Sequence, residues 1–128
     1  MATVIEQMRA SAPGNLALMV KTALQFHLGR GQRISKEALS LALLKKYTST
    51  TDRQIRDAVA QLQEEGELIV TDSEDGGYFY AETPADVERY LADIQSRMQK
   101  LTMKRDAMLR AMWAKFRAVP HGAQMNLL

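Results

Sequence analysis

The segment from Thr51 to Tyr80 constrains the fold most, because it predicts a helix that runs directly into a β-hairpin. Thr51 can cap the start of this helix, and Gln54, three residues later, completes a capping box. Gly66 suits the left-handed residue that ends a helix. The apolar face of the helix repeats at helical spacing and comprises Ile55, Val59 and Leu62.

Two short strands follow this helix. Residues 68–70 and 78–80 are rich in β-branched and aromatic side chains, and residues 72–77 make a polar turn between them. A helix followed at once by a hairpin is the second half of a winged helix-turn-helix, a scaffold that places one helix in the major groove of DNA.

Two further helices precede the segment. The spacing of apolar residues predicts the first over residues 15–28 and the second over residues 36–47, with Ser35 as the N-cap of the second. The expected fold class is therefore mainly α with a small β-hairpin, with three helices and a two-stranded wing over residues 15–82. Residues 1–14 are expected to form an N-terminal arm. The core-facing residues predicted for the first two helices are Leu16, Met19, Val20, Ala23, Leu24, His27, Leu39, Ala42 and Leu43.

A long helix is predicted over residues 83–119, followed by a tail over residues 120–128. Thr83 can cap this helix, Pro84 suits its first position, and Asp86 completes a capping box. Because no Gly or Pro interrupts it, the helix would extend roughly 50 Å. That length exceeds what a small domain needs.

The long helix carries a heptad-like apolar seam and is expected to form a dimeric coiled coil. Three of its four acids lie in the first third, and its Lys and Arg residues lie mostly in the remainder with Asp106 as the one acid, which favours an antiparallel homodimer. Two alternatives stay open: the helix folds back over its own domain, or its basic end contacts DNA without sequence preference. Arg105 interrupts the seam at one position. The residues predicted to mediate dimerisation are Leu91, Ile94, Met98, Leu101, Met108 and Met112, with Trp113 and Phe116 as anchors near the end.

The polar side of the third helix carries the candidate DNA contacts. Arg can read guanine and Gln can read adenine in the major groove, while Lys and Thr can hold phosphates. The alternative is an ordinary solvated helix face. The predicted base-reading residues are Arg53, Gln54 and Arg56, and the predicted phosphate contacts are Lys45, Lys46, Thr50 and Thr51. Weaker phosphate candidates are Arg30, Arg33 and Lys36.

Two motifs carry a resemblance to a known family. They are DRxIRxxVxxLxxxGxxI over residues 52–69 and GGYxY over residues 76–80, and an acidic helix start with Tyr90 and Arg97 follows them. In these features the chain resembles small winged-helix proteins of bacteriophages and prophages, and the DNA-binding half of biotin-repressor-like regulators. The resemblance covers residues 16–97. It implies a tri-helical core with a β-wing and DNA binding through the third helix.

The wing itself argues in the other direction. Asp72, Glu74 and Asp75 crowd the turn, and no Lys or Arg accompanies them in that stretch of sequence. Three carboxylates near phosphates would repel them. The wing is therefore expected to stay away from the DNA backbone, to contact a basic protein, or to be a solvent-exposed turn that makes no contact.

Composition excludes several other classes of function. The chain has no Cys, which rules out disulfides and thiolate zinc sites, and no apolar run approaches the ~18 residues of a membrane span. We find no glycine-rich phosphate loop and no His and acid cluster, and His27 is interpreted as a packing residue. No enzymatic activity, cofactor, metal or small-molecule substrate is expected, and the cytoplasm is the expected compartment. The net charge of +2 does not by itself support binding to nucleic acid.

The sequence thus predicts a homodimeric, sequence-specific binder of double-stranded DNA. Its expected role is that of a phage-type transcriptional regulator or a replication or recombination accessory factor. The alternative is a protein-protein interaction module, in which a phage factor binds a host protein through its acidic wing and C-terminal helix without binding DNA.

Overall fold

The structure is a computed structural model that describes residues 14–117, and over that range it is mainly helical with one two-stranded antiparallel sheet. This coarse class agrees with the sequence prediction. All but the last residue of the predicted N-terminal arm, and the whole predicted tail, lie outside the described residues. The elements are α1 (Gly14–Leu24), a 3-10 turn (Arg30–Gln32), α2 (Lys36–Leu44), α3 (Ser49–Glu64), β1 (Ile69–Thr71), β2 (Tyr78–Tyr80) and α4 (Pro84–Phe116).

The chain divides into two compact units, the first ending at Tyr90 and the second beginning at Leu91. The first unit holds the core, which forms where α1 and α2 pack against α3 and the sheet. Tyr90 belongs to it because its hydroxyl accepts a hydrogen bond from Gln63 Nε2 at 3.0 Å. Burial of each large aliphatic side chain stabilises such a core by about 1.5–3 kcal/mol. The core residues are Ala17, Val20, Leu24, Leu39, Ile55, Ala58, Val59, Leu62, Ile69 and Tyr78.

Helix α1 ends at Leu24, four residues before the predicted end. The backbone beyond it is drawn into the sheet instead: the amide of Tyr80 donates to the carbonyl of His27, and the amide of Gly29 donates to the carbonyl of Tyr80, both at 2.8 Å. The prediction of helix over residues 25–28 was therefore wrong: the amides of residues 25–27 still bond back to α1 in a turn, and the chain beyond this turn pairs with β2.

Helix α2 begins as predicted, with the Ser35 hydroxyl accepting from the amide of Ala38 at 3.1 Å. It ends at Leu44 rather than Tyr47, because Lys45 adopts a left-handed conformation with φ of 68°. A residue in that conformation stops a helix.

The N-terminus of α3 differs from the predicted one. Thr48, not Thr51, is the N-cap: its hydroxyl accepts from the amide of Thr51 at 3.1 Å. The Thr51 hydroxyl accepts in turn from the amide of Thr48 at 2.8 Å, which completes the capping box without Gln54. The predicted helix end was correct, since Gly66 follows α3 with φ of 95°.

Strand β2 has neighbours on both edges. On one side it pairs with β1, with Val70 opposite Phe79. Strand β1 starts at Ile69, one residue later than predicted. On the other side Ile34 and Tyr78 exchange backbone hydrogen bonds of 3.0 and 2.9 Å. The hairpin is therefore attached to the segment that precedes α2.

Helix α4 starts at Pro84, as predicted, and its Asp86 carboxylate accepts from the amides of Glu82 and Thr83 at 2.9 and 3.3 Å. The helix continues through the second unit to Phe116. Within residues 14–117 no helix combines the length and apolar character that crossing a bilayer requires.

Candidate nucleic-acid interface

Helix α3 turns one polar face to solvent, because its apolar face is packed in the core. Three predicted base-reading residues, Arg53, Gln54 and Arg56, are exposed on this polar face. Arg53 and Arg56 are three residues apart and so are neighbours on the helix surface. All three lie in the N-terminal half of α3, which is where a recognition helix carries its base contacts. We call them the reading surface.

The two arginines of the reading surface differ in their electrostatic surroundings. The Nε atom of Arg56 lies 3.2 Å from Oδ2 of Asp52, one helical turn earlier. Arg53 forms no ion pair with any residue that the structure describes. Only Arg53 therefore presents an uncompensated guanidinium on this face.

Thr50 and Thr51 do not share the predicted role in holding phosphate. Thr50 is exposed. Thr51 is only 2% exposed, and its hydroxyl lies 2.8 Å from the hydroxyl of Ser40, itself fully buried. The prediction for Thr51 was wrong, because its hydroxyl bonds to groups inside the protein and cannot reach a phosphate. Its role is to fix the start of α3 against α2.

The turn between α2 and α3 carries the two predicted lysine contacts. Lys45 and Lys46 are both exposed. The turn is held from inside, because the Ser40 hydroxyl donates to the carbonyl of Lys46 at 2.6 Å. The backbone that carries both ammonium groups is thereby fixed beside the N-terminus of α3.

The acids of the hairpin turn have cationic partners that the sequence order conceals. The Arg30 guanidinium binds the Asp72 carboxylate and lies 3.2 Å from that of Glu74, and Arg33 Nε lies 2.8 Å from Oδ2 of Asp75. We call these five residues the hairpin-tip cluster. In the fold, therefore, each of the three carboxylates has a close counterion, and two guanidinium groups compensate two of the three negative charges.

The partners of the hairpin-tip cluster also change the protonation of its acids. The hydrogen bond from Arg30 holds the pKa of Asp72 below its ordinary value, and the amide of Glu74 acts in the same direction. The hydrogen bond from Arg33 and the amide of Gly77 lower the pKa of Asp75. Arg30 and Arg33, the weaker phosphate candidates, are thus engaged within the protein.

A second surface of the first unit is apolar. An open groove of about 440 Å³ has a mostly apolar lining that includes Leu28 and Leu68, both exposed. Tyr80 forms part of its wall, and its hydroxyl donates to Glu67 Oε2 at 3.1 Å. Burial and that bond raise the pKa of Tyr80 to about 12, so this hydroxyl stays protonated at neutral pH.

In the second unit, residues 91–117, the predicted dimerisation residues are exposed or half-exposed and none is buried. The structure contains one chain, so the predicted homodimer stays a prediction. The exposed members are Leu91, Met98, Leu101, Met108, Trp113 and Phe116, and the half-exposed members are Ile94 and Met112.

Other kinds of site find no geometric support in the described part of the chain. Within residues 14–117, no three His, Asp or Glu side chains converge to hold a metal ion. Comparison with known protein families, with curated proteins and with solved structures finds no match.

Proposed function

We propose that this chain is a winged helix-turn-helix protein that binds double-stranded DNA sequence-specifically through α3, and that it does so as a homodimer. Helices α2 and α3 would form the helix-turn-helix and the hairpin would form the wing. The four-residue turn 45–48 has the length typical of such units, and left-handed Lys45 occupies the kind of position where glycine is common. We further propose the role of a phage-type transcriptional regulator or a replication or recombination accessory factor, acting in the cytoplasm.

One observation carries this proposal: the reading surface is exposed on a helix whose opposite face is rigidly packed. Arg53 is held on that helix without an acidic partner, whereas Arg30, Arg33 and Arg56 each have one. An unpaired guanidinium retains its full capacity to donate to guanine or phosphate.

The hairpin-tip cluster supports the same proposal. Three bare carboxylates would repel DNA, but Arg30 and Arg33 compensate most of that charge. The wing can then lie near a phosphate backbone without a large electrostatic cost.

In the proposed mechanism, Arg53 and Gln54 donate to base edges in the major groove. Arg56 joins them once its ion pair with Asp52 opens. Lys45, Lys46 and Thr50 hold the flanking phosphates, and these contacts set the position of α3 but carry no sequence information. In a homodimer, two copies of α3 would address two half-sites.

Titration of duplex DNA against salt tests the proposal. Arg53→Ala with Arg56→Ala should reduce affinity about tenfold to a thousandfold and should flatten the slope of log K against log salt by about 1–2. The matched control is Arg89→Ala with Lys100→Ala, which removes two exposed cations from α4. An equal effect of the control would show that overall charge, not the reading surface, determines binding, and absence of binding by the native chain at low salt would refute the proposal.

A second candidate function is an interaction module that binds a host protein without binding DNA. It is favoured by the exposed apolar residues of the first unit, since Phe26 is 80% exposed close in sequence to the groove residue Leu28. Charge on the wing favours it less than the sequence suggested, because Arg30 and Arg33 compensate two of the three negative charges at the tip. Phe26→Ser should leave DNA affinity unchanged if the first proposal holds. A native chain that does not bind duplex DNA but binds a host protein, with that binding lost in Phe26→Ser, would support the second.

A further inference from the structure

The exposed apolar residues of α4 form a regular seam with one charged interruption. They recur at alternating steps of three and four residues, which is the heptad pattern of a coiled coil. Arg105 occupies the seam position between Leu101 and Met108. We define the seam as Leu91, Ile94, Met98, Leu101, Arg105, Met108 and Met112.

The seam lies open in the single chain. Leu101 is 65% exposed and Met108 is 66% exposed. An exposed apolar stripe of this length, interrupted only at Arg105, is typical of a surface that contacts a partner.

We propose that a second copy of this chain covers the seam, with the two α4 helices antiparallel and fully overlapped. This inference deepens the homodimer part of the proposed function and rests on it. In this register Leu91 lies beside Met108 of the second copy.

Arg105 is the first reason for the antiparallel orientation. Parallel helices in register place each seam residue against its own copy, so two Arg105 guanidinium groups, each 2.9 Å from Asp106 Oδ1 of its own chain, would meet inside the interface. Like charges at such a site are costly because the surroundings are desolvated. The antiparallel register places Arg105 beside Ile94 of the second copy instead, next to the carboxylate of Asp93.

The distribution of charge along α4 is the second reason. Residues 100–117 hold six Lys or Arg and one Asp, whereas residues 84–99 hold two Arg and three Asp or Glu. Parallel helices would set the two basic halves against each other. Antiparallel helices set each basic half against a slightly acidic one.

One pair of like charges remains in the antiparallel register, since Arg97 comes to face Lys104 of the second copy. The Asp93 carboxylate already compensates Arg97 within the chain, with Arg97 Nε 3.1 Å from Oδ2. This side pair lies at the edge of the interface, where water screens it.

Arg105 therefore acts as an orientation residue. A polar group at one seam position lowers the stability of a coiled coil but specifies how its helices pair. Here the cost of burying two guanidinium groups together disfavours the parallel arrangement.

Disulfide trapping in the full chain tests the orientation, and the absence of native cysteine makes it specific. Leu91→Cys and Met108→Cys are prepared separately, one with a size tag, then mixed and mildly oxidised. We expect the mixture to form the tagged–untagged disulfide, and each variant alone to stay uncrosslinked. Disulfides within each variant alone would show a parallel dimer and would overturn the proposal.

The matched control pair is Ser96→Cys with Met103→Cys. These residues lie at equivalent levels along α4 but on the face opposite the seam, so they should not crosslink in any combination. Equal crosslinking of the control pair would reveal random collision. Sedimentation of the native chain separates the remaining cases, since a monomer refutes the homodimer itself, and a dimer without seam disulfides refutes only the α4 interface.

Arg105→Leu tests the role of the orientation residue. It should lower the dissociation constant of the dimer by about tenfold or more, because Leu is buried favourably where Arg is not. It should also allow disulfides within Leu91→Cys alone. An unchanged trapping pattern in Arg105→Leu would overturn the assignment of orientation to Arg105. DNA titration of the same variant reports on the reading surface separately, because Arg105 is not part of it.

Discussion

The hydroxyl groups of Ser40 and Thr51 lie 2.8 Å apart in the buried space between α2 and α3. This contact joins the two helices that the proposed DNA-binding unit requires. Thr51→Val should therefore destabilise the protein by about 1–3 kcal/mol, because it leaves the Thr48 amide without its partner and removes one of the two hydrogen-bond partners of the buried Ser40 hydroxyl. Urea unfolding measures the effect.

Thr50→Val is the control for this substitution, since Thr50 is exposed and one residue away. It should change the free energy of unfolding by less than about 0.5 kcal/mol. Equal effects of the two variants would show that the loss is one of helix propensity and not of the buried hydrogen bonds.

Substitution of Lys45 is predicted to change stability and DNA affinity in opposite directions. Because its φ of 68° is strained for any residue with a Cβ, Lys45→Gly should stabilise the fold by about 1 kcal/mol. The same change removes a proposed phosphate contact, so DNA affinity should fall and the salt slope should flatten by about one. Unfolding and binding are measured on the same variant, and a gain in both would contradict the phosphate role.

Asp52 restrains the reading surface through its ion pair with Arg56. Asp52→Asn should raise DNA affinity several-fold, because it frees a guanidinium and removes a negative charge near phosphate. Fluorescence anisotropy with a labelled duplex measures the change. Glu64→Gln, at the far end of α3, removes the same charge and should have a smaller effect; if the two variants match, the ion pair has no specific role.

The hairpin-tip cluster should make the free energy of unfolding depend on pH in the acidic range. The folded-state pKa of Asp72 lies below its ordinary value of 3.8. Ionised Asp72 therefore stabilises the fold above about pH 4, and this stabilisation is lost as the pH falls through the lowered pKa. The free energy of unfolding of the native chain should therefore be lower below about pH 4 than at neutral pH.

Comparison with Asp72→Asn isolates this contribution. The difference in urea midpoint between the native chain and Asp72→Asn should be largest at neutral pH and should shrink toward pH 2–3. Glu74→Gln is the control because the Glu74 side chain is 78% exposed, and its pH profile should follow that of the native chain. If the difference in urea midpoint does not change with pH, the side chain of Asp72 stabilises the fold through its shape and not through its charge.

The apolar seam of α4 gives a prediction for oligomeric state. Leu101→Glu places a charge at the centre of the seam and should convert the proposed dimer to a monomer in sedimentation. Met103→Glu places the same charge on the opposite face at a site that is 70% exposed. It should leave the dimer intact, and dissociation by both variants would point to another interface.

The sequence predicts well those features that depend on neighbours along the chain. Ser35 caps α2 and Gly66 follows α3 because both act through hydrogen bonds or torsion angles of adjacent residues. The N-cap of α3 was predicted at Thr51 instead of Thr48 because a capping box with the same three-residue spacing can start at either threonine. Thr48 is favoured over Thr51 only because Ser40, eleven residues earlier, draws Thr51 into the interior.

Features that depend on distant residues could not be predicted. Arg30 and Asp72 are 42 residues apart, and the only sequence signal for their pairing is opposite charge. The early end of α1 has the same origin, since β2 competes for the backbone of His27 from more than 50 residues away. Of the four predicted phosphate contacts, Lys45, Lys46 and Thr50 are exposed as that role requires, while Thr51 is buried.

The double pairing of β2 determines how the hairpin can behave. Amides of Tyr78 and Tyr80 donate to Ile34 and His27, outside the hairpin itself. Their protons can exchange with solvent only when the body of the first unit opens, not when the loop alone fluctuates. The hairpin is thus a fixed part of the first unit, and anything that binds against it must conform to its shape.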